Sequence, residues 1–206
     1  MKRLAILGAS GHGKVIAEIA LSTGWDYVEF YDDAFPYKKS VDDLLIQGGL
    51  DKLLEKSNSY DDFHIAIGDN KTRLNILDKL LGLGFPFPNI VAPSAVVSQS
   101  ASLGVGTSIM ANVVVNANTT LGDGVILNTS CSIDHDCSIA AGVHISPGAH
   151  LAGNVSVGIC SWVGIASSII QGKVVGDNSI IGAGSLVISN IPNRVTAVGV
   201  PSKIIK

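Results

Sequence analysis

Two short stretches hold the side chains that could do chemistry. The first is GASGHGKV, Gly8 to Val15, which places Gly8, Gly13 and Lys14 as a nucleotide-hydrolase phosphate loop requires. The last position of that motif is a Ser or Thr whose hydroxyl binds Mg²⁺, and here it is Val15. A dinucleotide fingerprint fits less well, because Gly11-x-Gly13 is followed by Ile16 where the third glycine belongs. The second stretch is LNTSCSIDHDCSIAAGVHISPGAHLAGN, which gathers Asn128, Asp134, His135, Asp136, His144 and His150. Within it, DHD sets a histidine beside carboxylates that can orient the imidazole and raise its basicity, as a general base requires. Solvated corners are the plain alternative. A metal site would need convergent ligands, and none is expected.

The elements around these residues fall into two rhythms. Residues 1–85 read as a small α/β domain. LAILGAS is a short strand running into a glycine turn, GKVIAEIALSTG a helix, YVEFYDD a second strand ending in two carboxylates, FHIAIGDN a third strand and NKTRLNILDKLLGLG a helix. Strand, glycine turn, helix and strand make a βαβ unit, hence a small Rossmann-like parallel sheet.

From Val91 every sixth residue is Val, Leu or Ile through to Val187. The residue four places after each is mostly small or β-branched, from Ala95 to Ala149, with Lys173 the clear exception. A period of six is that of a hexapeptide-repeat left-handed parallel β-helix, here residues 86–206 with a capping tail. Each hexad is one strand and one corner, so three close a triangular coil and the aliphatics form a single inner column. Cys131 and Cys137 share the small slot and read as core fillers, not as nucleophiles or metal ligands. None of the polar residues of the DHD stretch occupies an inward slot, so chemistry belongs on the outside of the column or between chains.

Composition narrows the classes. A net charge of -3 leaves no basic footprint for nucleic acid. No apolar run is long enough to span a bilayer, and Lys2-Arg3 leads into a strand with no small-residue cleavage site. Three cysteines without C-x-x-C spacing fit a reducing, cytoplasmic setting.

GASGHG, YDD, IAIGDN, LNTSCSIDHDCSI and GVPSK together make the whole chain resemble the hexapeptide-repeat sugar-nucleotide acetyltransferases of the PglD/NeuD-like type. The UDP-4-amino-sugar N-acetyltransferases of bacterial glycan biosynthesis are the best match. Sialic acid O-acetyltransferases and GDP-perosamine-type N-acetyltransferases are the alternatives. The resemblance implies a homotrimer with acetyl-CoA in the groove between two β-helices. It makes His135 the general base, Asp136 the acid that raises its basicity and Asn128 an active-site polar residue. His144, Ile165 and Ala183 match cofactor contacts. Backbone N–H groups of Ser10, Gly11 and His12 would meet the diphosphate at a helix N-terminus. Asp32 and Asp33 would accept from ribose or base, and Gly68, read as the end of the third strand, would let the base lie close. Val15 then costs nothing, since no Mg²⁺ hydroxyl is needed.

Overall fold

A computed structural model describes residues 1–206. The chain opens with β1 (Arg3–Leu7), α1 (Gly11–Ser22) and β2 (Tyr27–Tyr31). A two-strand hairpin, β3 (Ser40–Val41) and β4 (Leu44–Leu45), and α2 (Leu50–Glu55) lead to β5 (Asp62–Ile65) and α3 (Asn70–Gly82). The long strands pair in parallel in the order β2-β1-β5. Their apolar runs bury on both faces, as a parallel strand under helices requires. Asp69 caps α3 by accepting the Thr72 N–H at 2.9 Å. Gly84 turns the chain out of α3 at φ +86. No helix is long and apolar enough to cross a membrane.

Seventeen two-residue strands follow, from β6 (Ile90–Val91) to β22 (Leu186–Val187), one for each hexad. From β6 to β19 each pairs in parallel with the third strand on, so residues eighteen apart are neighbours, and three sheets form the faces of a triangular solenoid: the first face starts with β6, the second with β7 (Val96–Val97) and the third with β8 (Ser102–Leu103). The second residue of each strand points inward, and these aliphatics join with the small slots in a core of 23 buried residues. Cys131 and Cys137 are buried within it, as the repeat predicts. The tail continues the first face with β23 (Thr196–Val198), and β24 (Lys203–Ile204) closes it antiparallel.

The glycines divide into two kinds that the hexad pattern alone does not separate. Those following the aliphatic, such as Gly104 and Gly122, give clearance between coils. A Cβ on Gly122 would lie 2.5 Å from the Ala141 nitrogen of the next coil. The left-handed corner comes two residues later, as at Gly124 (φ +60) and Asp136 (φ 57).

The first residue of each strand points outward. On the first face this gives one column: Ile90, Ser108, Ile126, His144, Trp162 and Ile180. The α/β domain covers its beginning. Ile90 and Ile126 pack with Leu4, Ile6 and Ile16, and His64 Nε2 meets Ser108 Oγ at 2.8 Å. The cover stops at His144, and Trp162 and Ile180 beyond it are 42% and 45% exposed.

Candidate active site

His135 stands at the corner after β13 (Ser132–Ile133), between the second and third faces. Its Nδ1 lies 2.8 Å from Asp136 Oδ2, and a carboxylate only accepts, so Nδ1 carries the proton and Nε2 is free as a base. Asn118 of the preceding coil donates to Asp136 Oδ1 at 3.1 Å and steadies it. The hydrogen bond to Asp136 holds the imidazole above the ordinary histidine range. The same bond, with that from Asn118, holds Asp136 below the ordinary carboxylate range. Gly153, one coil on, lies against the ring: a Cβ there would come within 2.6 Å of Nε2.

Asn128 and His144 meet elsewhere, where β12 (Ile126–Leu127) and β15 (His144–Ile145) end and begin on adjacent coils of the first face. The Thr129 N–H donates to Asn128 Oδ1 at 2.8 Å, which turns the amide nitrogen toward His144 Nε2 at 3.2 Å. His144 Nε2 therefore accepts, and Nδ1 carries the proton, buried without a partner. Burial, with the charges of Arg73 and His12 adding to it, pushes the His144 pKa down to about 3. The ring stacks on Trp162, centroids 5.2 Å apart and planes at 18°, and Trp162 Nε1 donates to Ser146 Oγ.

From this stack an apolar groove of ≈ 450 Å³ runs toward the C-terminal coils. His144, Ile165 and Ala183, assigned to the cofactor on resemblance, all line it, with Pro147, Trp162 and Ile180. His135 and Asp136 do not. The face that holds β13 separates them from Asn128 and His144, so one chain does not bring together the residues that the resemblance assigns to catalysis.

In the α/β domain, Gly8 takes φ +109, and a Cβ there would lie 2.6 Å from the Ala66 oxygen. A Cβ on Gly13 would strike the Gly8 carbonyl, so this glycine brings α1 tight against the loop. α1 begins at Gly11, two residues before the predicted start, with Ser10 as its N-cap, and Gly11 faces open space. Lys14 pairs with Asp42 at 2.6 Å, so the cation of the apparent phosphate-loop motif points away from the loop. Lys38 instead donates to the Ala9 carbonyl. The His12 imidazole carries a buried, unpartnered Nε2, and burial with the Arg73 charge pushes its pKa down to about 4.

Asp32 and Asp33 line a cleft of ≈ 200 Å³ at the C-terminal ends of the strands, where open parallel sheets take ligands. Both are already engaged. Asp32 accepts the Ala9 and Ala34 N–H groups, one on each oxygen, and Asp33 Oδ1 accepts that of Leu50. Asp32 therefore shapes the glycine loop, and Asp33 Oδ2 is the freer acceptor. Gly68 does not end the third strand. That strand stops at Ile65, because the Gly68 loop turns its carbonyls toward Arg73.

The sequence model of the PglD N-terminal domain family matches residues 3–80. The acetyltransferase domain of PglB from Neisseria gonorrhoeae FA1090, solved with acetyl coenzyme A, superposes with a TM-score of 0.95 at 40% identity, over 99% of each chain. A variant of perosamine N-acetyltransferase from Caulobacter crescentus, solved with CoA and GDP-perosamine, gives 0.95 at 35% identity, over 100% of this chain and 98% of the other. The chain belongs to the sugar-nucleotide N-acetyltransferase family. The UDP-N-acetylbacillosamine N-acetyltransferase of Bacillus subtilis (strain 168) is 40% identical over 108 residues, 50% of this chain. That match spans 49% of the Bacillus protein's length, and matches to two further curated acetyltransferases span 22% and 23% of theirs.

Several residues of this family member escape a reading of motifs. Trp162 is His144 plus one coil, and Gly153 is His135 plus one coil, so reading the repeat in steps of eighteen finds both. Lys38 lies in no motif, and only the folded loop brings it to Ala9.

Proposed function

We propose that the protein transfers acetyl from acetyl-CoA to the amino group of a nucleotide-linked sugar, a UDP-4-amino-4,6-dideoxy sugar of bacterial surface glycan biosynthesis. The observation that carries this reading is where the cover ends. The glycine-loop domain masks the first-face column up to His144, and the apolar groove begins there. A thioester lying in the groove and a sugar hanging from the glycine loop would meet at that point. Free N–H groups at the start of α1 suit the diphosphate, and the wall of Pro147, Trp162, Ile165 and Ile180 suits a pantetheine arm.

The transfer is direct. The neutral sugar amine attacks the thioester carbonyl and forms the C–N bond. His135 Nε2 takes the amine proton, and collapse breaks the C–S bond to release CoA. Asp136 keeps the imidazole in the useful tautomer. His144, neutral at any working pH, contacts the cofactor without adding charge. Because His135 and His144 lie on different sides of one solenoid, the site is completed by a second copy. A homotrimer supplies His135 from one chain and the groove from its neighbour. Light scattering at micromolar concentration checks this, and a fully active monomer overturns it.

A GDP-linked 4-amino sugar is the second reading, favoured by the Caulobacter structure with GDP-perosamine at 35% identity. CoA release measured with UDP-, GDP- and CMP-linked sugars separates the two and also tests sialic acid O-acetylation. Turnover with UDP-4-amino sugars alone supports the first reading. Turnover confined to the hydroxyl of a CMP-linked or free sialic acid refutes N-acetylation.

A further inference from the structure

α3 lies along the edge between the third and first faces. Leu77 packs on Gly106 and Gly124, and Leu74 on Gly142. From the same helix Arg73 enters the junction and is 1% exposed. Its donors bond acceptors from both halves of the molecule. Nε donates to the Gly124 carbonyl at 2.8 Å and Nη2 to that of Gly142 at 2.8 Å. Nη1 donates to Ile67 at 2.9 Å and to Gly68 at 3.3 Å. Nη2 also holds Asn70 Oδ1 at 2.9 Å, and Asn70 Nδ2 reaches the Cys160 and Ser161 carbonyls at 3.1 Å. No carboxylate hydrogen-bonds the guanidinium. Burying a cation against carbonyl dipoles alone is costly, and the fork geometry of arginine suits such a many-point bridge better than lysine does.

The acceptors are spaced one coil apart: Gly124, Gly142 and Cys160. Each corner leads into an outward residue of the first face. Gly142 precedes His144 by two residues, and Ser161 precedes Trp162 directly. On the other side, the Ile67 and Gly68 carbonyls belong to the loop assigned above to the nucleotide. We infer that Arg73 is the positioning residue of the reaction: with Asn70, it locks the nucleotide-sugar loop to the two coils that carry His144 and Trp162. It touches neither substrate. It sets the distance and angle at which the sugar arrives at the groove, and so governs acceptor binding more than donor binding. The inference rests on the functional reading above.

The test uses the full chain and three variants, R73M, R73K and N70A, each checked for fold by circular dichroism and for assembly by light scattering. Nucleotide affinity is read by calorimetry with UDP, GDP and CMP, and KM and kcat with the amino-sugar nucleotide and acetyl-CoA. R73M should raise the nucleotide-sugar KM by about tenfold or more, as the loss of a charge-assisted hydrogen bond to the loop would. Acetyl-CoA affinity and kcat at saturation should change little. R73K keeps the charge without the fork and should remain impaired. N70A should move the same KM by less, and it decides the question with R73K if R73M does not fold. Folded R73K and N70A with wild-type KM values for both substrates overturn the assignment, as does full rescue by R73K. Equal loss of both affinities points to general destabilisation and also overturns it. Wild-type protein that binds none of the three nucleotides refutes the nucleotide-loop reading itself, and the assignment falls with it.

Discussion

The corner after β13 and the outward column of the first face are built from the same hexad, yet they treat a histidine in opposite ways. At the corner His135 is exposed, paired with a carboxylate and held more basic than usual. In the column His144 is tucked between Asn128 and Trp162, has no carboxylate and stays neutral. The hexad fixes only which residue points inward. The character of an outward residue is set by its neighbours eighteen residues away and by what covers the face. A base needs an accessible, carboxylate-backed position, whereas a contact for a neutral acyl group is better served by an uncharged ring. The two histidine environments stand on different sides of the triangle.

The contrast breaks most sharply at His135. His135→Ala should lower kcat by about 10²–10⁴-fold, the usual worth of a general base, while acetyl-CoA still binds. Near-full turnover would remove His135 from the role. Mixing differently tagged His135→Ala and His144→Ala chains, assayed at acetyl-CoA well below the Kd of the His144→Ala variant, should restore activity in the mixed oligomer, since some junctions regain both intact residues. No recovery in a verified hetero-oligomer would place the whole site within one chain. Asp136→Asn comes next. Its carboxylate is what raises the His135 pKa, so the limb on which kcat/KM climbs with pH should move to lower pH, with a reduced plateau. An unmoved limb would mean that another group titrates there. His144→Ala should act mainly on acetyl-CoA, raising its Kd with a smaller change in kcat. Because His144 loses its charge near pH 3, this effect should be flat across a neutral pH series. His150→Ala is the smallest: its ring meets only Ser132 on the exposed second face, at 2.8 Å, and kinetics should match wild type.

Much of this was legible beforehand, for identifiable reasons. Inward aliphatics every six residues left one architecture open, and the buried column follows them from Ile109 to Val187. DHD revealed its pair because the partners are adjacent in sequence. What stayed hidden depends on stacking and docking. Trp162 and Gly153 are neighbours only through the eighteen-residue coil. Arg73 looks like any helix-surface charge until α3 is laid on the solenoid edge. The carboxylates of YDD read as free acceptors, since their backbone partners Ala9, Ala34 and Leu50 come together only in the folded loop.

The column Ile90, Ser108, Ile126, His144, Trp162, Ile180 also acts as a ruler. Its marks are rungs of a parallel sheet, about 4.8 Å apart, and each costs the chain eighteen residues. The α/β domain sits on the first three marks and the groove starts at the fourth. The reach from the glycine loop to the groove can therefore change only in whole rungs. Adding one coil below His144 would set the two apart by a full mark, a gap that no adjustment of side chains on the fourth rung could close. A relative that must hold a longer acceptor would be expected to gain or lose whole coils, or to refit the loop held by Arg73. On the proposed reading, acceptor length is thus a matter of counting, and the shape of a pocket adjusts it only within one rung.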